Sequence, residues 1–306
     1  MYAPSYLRLF ESGELEKRAE LLAAMARPCS LCPHRCLAER SPGKTGRCCS
    51  LLKALVSSAF AHFGEEAPLV GSRGSGTIFF CGCNLRCRFC QNWEISHNFE
   101  TGNALGEEEL ASLMLSLERQ GCHNINLVTP THYIHSIVAA LVIAAGKGLS
   151  LPLVYNCGGY ERADVLEILD GVVDIYMPDT KFFDDRVAAR FVNADDYGTR
   201  ARAALKVMHS QVGILKTTAQ GIAYRGLLIR HLVMPGSLAG TRDWARWIAS
   251  ELSPDSYVNI MAQYHPCHLA AGDPEIGRRP TSGEFLSAVK EALDSGLSGR
   301  GFTREM

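Results

Sequence analysis

The 306-residue sequence has no apolar run long enough to cross a bilayer. Its longest, Ile137–Ala145, falls far short of the ~20 residues a spanning helix needs. Excess charge of either sign is also missing. Lys+Arg 31 against Asp+Glu 32 leaves a net charge of -1, which removes the broad electrostatic case for a nucleic-acid partner. The N-terminus places acids at Glu11, Glu14 and Glu16, without the basic-then-apolar order of a signal peptide. These absences predict a soluble, cytoplasmic chain with no membrane partner. Internal repeats and low-complexity tracts are lacking too, which excludes solenoid architectures. A hydrophobic fraction of 47% and a charged fraction of 21% exclude wholesale disorder.

Cysteine, by contrast, is plentiful, with 12 residues. A reducing compartment keeps thiols free, so clustered cysteines there point to metal before disulfides. One cluster follows an amphipathic helix marked by Leu15, Ala19, Leu22 and Ala26, which Arg27-Pro28 ends. Its members are Cys29, Cys32, Cys36, Cys48 and Cys49, with His34 among them. They offer four or five thiolates for a second metal, Cys29, Cys32 and Cys36 with Cys48 as the expected fourth and Cys49 as its alternative, and spacing alone leaves zinc and an iron–sulfur cluster both open.

Between the ends the chain alternates strand-like and helix-like stretches. Short runs at Thr77–Phe80, Ile125–Thr129, Leu153–Asn156, Val172–Met177, Leu227–Met234 and Tyr257–Ala262 are rich in Ile, Val, Phe and Tyr, as buried parallel strands are. Helical patterns lie at Ile134–Ala145, Arg162–Leu169, Arg200–Val212 and Arg242–Glu251. Another carries Leu110, Leu113, Met114 and Leu117 on one face. A final helix over Thr281–Ser295 opens with Thr281 and Glu284 at the spacing of a capping box. The pattern predicts an α/β fold around a parallel sheet, open or barrel-like, with ligands at the carboxyl ends of the strands. It divides into an N-terminal metal-binding segment (1–56), a central α/β unit (57–270) and a C-terminal tail helix (271–306).

Just past the first of these strands stands Gly82-Cys83-Asn84-Leu85-Arg86-Cys87-Arg88-Phe89-Cys90-Gln91-Asn92. The spacing is C-x3-C-x2-C. Three thiolates can hold three irons of one cubane, and no fourth ligand follows at short range, whereas a structural zinc site wants four. An open iron lets a substrate or cofactor coordinate directly. The run resembles the signature of the radical S-adenosylmethionine (SAM) superfamily, C-x3-C-x-aromatic-C, with Phe89 at the aromatic position. The resemblance extends over roughly residues 29–268, through Asn126–His132, Tyr155–Glu161, Tyr176–Phe182, Ile229–Gly236 and Asn259–Pro266. It is closest to the branch related to pyruvate formate-lyase activating enzyme, among relatives with a cysteine-rich N-terminus.

The resemblance implies a partial (β/α)6 barrel. It implies a [4Fe–4S] cluster on Cys83, Cys87 and Cys90, with SAM bound beside it and Phe89 against the adenine. It also implies that Asp179 accepts ribose hydroxyls while Lys181 meets the SAM carboxylate. Many members carry Gly-Gly-Glu after the second strand. Here that place reads Thr129-Pro130-Thr131-His132, so Thr129 and Thr131 are the substitute SAM contacts, with Asn156 after the third strand. In Arg230-His231 and in Gln263-Tyr264-His265, strand alternation sends one side chain inward, and His265 is a further SAM-site candidate. The implied reaction is reductive cleavage of SAM and hydrogen abstraction from an unidentified substrate, with glycyl-radical-enzyme activation as its most specific form. An electron donor such as a flavodoxin or ferredoxin and a protein substrate would be its partners. The competing expectation is a non-catalytic iron–sulfur or zinc scaffold or sensor, with four protein ligands at every metal.

Gly43-Lys44-Thr45 lacks the earlier glycine of a phosphate loop, because that place is Ala38. Gly71–Gly76 precedes a strand instead of following one, which is wrong for a dinucleotide fingerprint.

Overall fold

The structure is a computed structural model and describes residues 2–97 and 102–302. Among the described residues, nine strands form its sheet: β1 (Ala54–His62), β2 (Ser75–Phe80), β3 (Asn103–Leu105), β4 (Ile125–Val128), β5 (Leu153–Cys157), β6 (Ile175–Pro178), β7 (Lys216–Thr217), β8 (Ala223–Leu232) and β9 (Tyr257–Met261). Their order is β3-β1-β2-β4-β5-β6-β8-β7, and β9 pairs with β8. Six of them, β2, β4, β5, β6, β8 and β9, run parallel in that sequence. They are the six runs read from the sequence, shifted by a few residues at their ends. The fold is therefore α/β with a mostly parallel sheet. β1 and β3 extend it antiparallel beyond β2.

β2, β4, β5 and β6 are buried on both faces, which is why they read as continuous apolar runs, whereas β9 alternates buried and half-buried positions. Val154, Ile175, Met177 and Leu228 form an inner cluster with Leu69, Leu215 and Ala223. The other face packs on helices. Helix Ile134–Gly146 buries most of its surface and lies against helices Glu14–Ala26 and Glu107–Arg119. One continuous core runs from Tyr6 in the first helix to Leu297 beyond the last. The boundary that the sequence places at residue 56 falls inside β1.

Helix Ser282–Asp294 starts with the expected box. The Thr281 hydroxyl accepts from Glu284 N at 3.1 Å, and Thr281 N donates back to the Glu284 carboxylate at 2.7 Å. Helix Asp185–Phe191, capped by the Asp184 side chain on Arg186 N at 2.7 Å, is an element that periodicity did not mark. Among the described residues, no helix is long and apolar enough to cross a membrane.

Gly226 sits where β8 meets β6, at φ +124°, opposite Ile175. A Cβ there would stand 2.4 Å from Ile214 O and 2.5 Å from Leu215 Cα, and both neighbours are backbone. Gly226→Ala therefore combines overpacking with a disfavoured φ. It should destabilise the protein by about 3 kcal/mol, read as a lower urea midpoint at unchanged slope.

Candidate active site

All six parallel strands end at one cavity of about 230 Å³. Phe80 comes from β2, Val128 and Thr129 from β4, Asn156 and Cys157 from β5, Asp179 from just past β6, Arg230 from β8 and Met261 from β9. Cys83, Cys87, Phe89 and Cys90 form its other wall. A larger groove of about 580 Å³ lies at the amino ends of β6 and β8. Two of its cations are already engaged, Arg225 by Ser5 Oγ and Gln211 O and Arg18 by Glu14 and Ile168 O.

The cavity floor is a charge network. Asp179 receives Lys181 Nζ at 2.6 Å and Arg230 Nε at 2.8 Å. Arg230 also donates to Asn156 Oδ1 at 2.7 Å and lies 3.6 Å from Glu65. Burial alone would raise the Asp179 carboxyl. Arg230 and Lys181 outweigh it and hold the group below its ordinary 3.8. Burial works against the Lys181 ammonium, but Asp179 holds it charged well above the ordinary lysine value. Burial lifts Glu65 to about 7 against the opposing pull of Arg230.

Burial raises two of the motif thiols, Cys83 to about 11 and Cys87 further, and the Lys181 charge pulls both back. Leu85 N points at Cys83 Sγ from 3.4 Å, and Cys90 Sγ lies 3.1 Å from Ser96 Oγ. Phe89 is wedged edge-on between Phe182 and Tyr264. Among the described residues, no three His, Cys, Asp or Glu side chains stand at the spacing of one bound metal ion. A cubane gives each thiolate its own iron, so three thiols along one cavity wall suit a cluster better than a single ion. The donor set and the adjoining cationic floor fit an iron–sulfur cluster beside an anionic group.

Of the residues proposed from sequence, Thr129, Asn156, Asp179 and Lys181 line this cavity with Phe89 and the three thiols. Thr129 adopts φ +60°, a conformation that β-branched residues seldom take and that gathers at functional sites. Thr131 does not reach the cavity. It points the other way and donates to Glu161 at 2.6 Å. Tyr155 bonds the second oxygen of Glu161 at 3.0 Å, and burial lifts that carboxyl to about 7. His265 sits at the rim, 3.3 Å from Gln91, while Gln263 takes the inward place. Alternation along β8 turns Arg230 inward and His231 outward. There His231 bonds Thr180 O and Thr241 Oγ1, each at 2.8 Å. Arg230 and Glu65 are the residues that sequence reasoning underweighted. The signal for Arg230 was an arginine inside an otherwise apolar strand, and Glu65 left none.

A family model described as "Radical SAM superfamily" matches residues 77–222, which span β2 through the turn before β8. The chain is also 30% identical over 286 residues to the uncharacterized protein MJ0674 of Methanocaldococcus jannaschii, covering 91% of this chain and 78% of that relative. The chain belongs to the radical SAM superfamily. Members are enzymes, generally of redox type, and the family implies a [4Fe–4S] cluster and SAM.

Arg230→Ala should cost the apo protein about 3 kcal/mol in urea denaturation, because it strips one of two cations from a mostly buried carboxylate. The Asp179 contribution is complete above pH about 4. It fades as acid takes the carboxyl down through its lower folded value, so the variant should also lose part of the acid limb of the stability–pH curve.

Proposed function

We propose that the chain reductively cleaves SAM and abstracts hydrogen from a substrate presented at the cavity mouth. The observation that carries this reading is the convergence of three motif thiols and the Asp179–Lys181–Arg230 network on one cavity. When bound, a reduced [4Fe–4S] cluster supplies the electron that splits SAM into methionine and a 5′-deoxyadenosyl radical. Cys83, Cys87 and Cys90 hold that cluster. Lys181 and Arg230 supply positive charge toward a carboxylate, Asp179 and Asn156 accept hydroxyl or amine hydrogens, and Phe89 closes the apolar side. The deep placement of these groups limits entry of water.

The finer reading is an activating-enzyme-like protein of the pyruvate formate-lyase activating enzyme-related branch, working in the cytoplasm with a flavodoxin or ferredoxin as donor. Its substrate would be a glycyl radical enzyme, offering a glycine loop to the mouth. The Asp-x-Lys pair just past the end of β6 supports that branch. The N-terminal thiols Cys29, Cys32, Cys36 and Cys48 hold a second metal in this reading, zinc or iron–sulfur. A four-ligand scaffold explains less, because it has no use for a charged cavity beside three thiols.

Anaerobic reconstitution with iron and sulfide, reduction and addition of SAM should yield 5′-deoxyadenosine, and Cys87→Ala should yield none. A reconstituted cluster that neither binds nor cleaves SAM would move the assignment to the scaffold. Lys181→Ala should retain the cluster but weaken SAM binding about ten- to a hundred-fold, measured by equilibrium dialysis. Unchanged affinity would remove Lys181 from the SAM site.

A further inference from the structure

The segment Cys29–Ser50 has few large apolar residues, yet it is built against the motif loop at successive points. His34 Nε2 meets Asn84 O at 2.8 Å. Arg86 Nη1 reaches Cys49 Sγ at 3.5 Å. Gly82, at φ +80°, leaves no room for a side chain: a Cβ would stand 2.5 Å from Ser50 Oγ and 2.7 Å from Cys48 O. Arg47 bonds Asn193 Oδ1 at 2.9 Å, and Asn193 N in turn bonds Leu85 O at 2.9 Å. Residues 82, 84, 85 and 86 of the motif loop thus rest on this segment directly or through one partner.

The segment brings four thiols together. Cys29 N bonds Ala38 O and Leu37 N bonds Cys29 O, each at 2.9 Å, which closes a small loop over Cys32 and Cys36. Arg35 and Leu37 take left-handed φ of 40° and 53° to make the turn. Cys29 lies within electrostatic reach of Cys36 and Cys48, and Cys32 within reach of Cys29 and Cys48. Gly46 abuts Cys36 so closely that a Cβ would stand 2.4 Å from its sulfur. Cys49 is turned away onto Arg86, which selects Cys48 as the fourth member.

An independent observation comes from Arg40. It is 2% exposed, spends one nitrogen on Leu51 O at 2.8 Å, lies over the Tyr133 ring at 5.4 Å, and leaves Nε and Nη1 buried without a hydrogen-bond partner. Its charge reaches Cys29. A buried guanidinium needs an anion nearby. A divalent ion on four thiolates is a dianion, and a four-thiolate cluster is also anionic.

We infer that a metal centre on Cys29, Cys32, Cys36 and Cys48, charge-balanced by Arg40, is the wall that sets the cluster-bearing loop, so that its loss unseats the motif cluster. The inference rests on the second metal of the proposed function. Like the motif thiols, these sulfurs do not stand at single-ion spacing, which suits a cluster with one thiolate per iron. Zinc would need the same thiolates to draw closer together, and metal and sulfide analysis tells the two apart.

The test uses two variants of the full chain. Cys83→Ala/Cys87→Ala/Cys90→Ala removes the motif ligands, and it should still retain zinc, or iron with sulfide. A variant free of all three would overturn the second centre while leaving SAM cleavage by the wild type untouched. Chelating the retained metal should speed hydrogen exchange of residues 82–90, and unchanged exchange would overturn the coupling. Cys36→Ser changes an exposed thiol with no core packing. It should lose the second metal and release the motif cluster to a chelator about ten-fold faster than wild type. Loss of the second metal with wild-type release of the motif cluster would likewise overturn the coupling.

Discussion

The carboxylate of Asp179 is the group on which the site depends. It is shielded from water and held ionised by Lys181 on one side and Arg230 on the other. Arg230 carries the tie on to Asn156 and Glu65, so one network joins the ends of β5, β6 and β8 to the β1–β2 connection. Backbone pairing runs on past these strand ends, with Asp179 N on Cys157 O at 2.9 Å and Thr180 N on Arg230 O at 2.8 Å, and the charge network ties the side chains at the same level. The same charged groups line the floor of the cavity, so the side chains that tie the strand ends together are also those that face its interior.

The motif loop opposite this floor has little structure of its own. From Gly82 to Cys90 it forms no helix or strand, and its apolar anchors are the buried Leu85 and Phe89, the latter between Phe182 and Tyr264. Its shape comes from what surrounds it. Arg88 N bonds Phe191 O, Gly82 N bonds Ile95 O, and the N-terminal segment supports the remaining positions. A loop that must present three thiolates in fixed positions needs such external support, since ordering backbone costs about 1–2 kcal/mol per residue.

Much of the fold was legible because buried parallel strands leave a strong sign, namely short runs of Ile, Val, Leu and Tyr bounded by turns. The strands that escaped lie at the sheet's margins. β1 reads Ala-Leu-Val-Ser-Ser-Ala-Phe-Ala-His, is buried only over its first three residues, and has no clean alternation. β3 is three residues long and mostly exposed, and β7 is two. Edge strands take their definition from a neighbour, and the neighbour is distant in sequence. At the site, Asp179, Lys181, Asn156 and Thr129 were readable because each stands at or just past a strand end. Thr131 stands at a comparable place but faces Glu161, since the turn at Thr129 and Pro130 reverses the direction that simple alternation assumes.

The sequence by itself determined the chemistry of the parts: which thiols are spaced for three irons, which runs become buried strands, and which charged residues fall at strand ends. Those follow from local spacing and composition, which the chain carries regardless of how it folds. Only the tertiary structure decided which side chains share a volume. It turned Arg230 inward and His231 outward, brought Glu65 beneath Arg230, and laid the N-terminal cysteine segment against the motif loop. Contacts between residues separated by dozens to well over a hundred positions arise from packing and loop closure, and no local pattern records them.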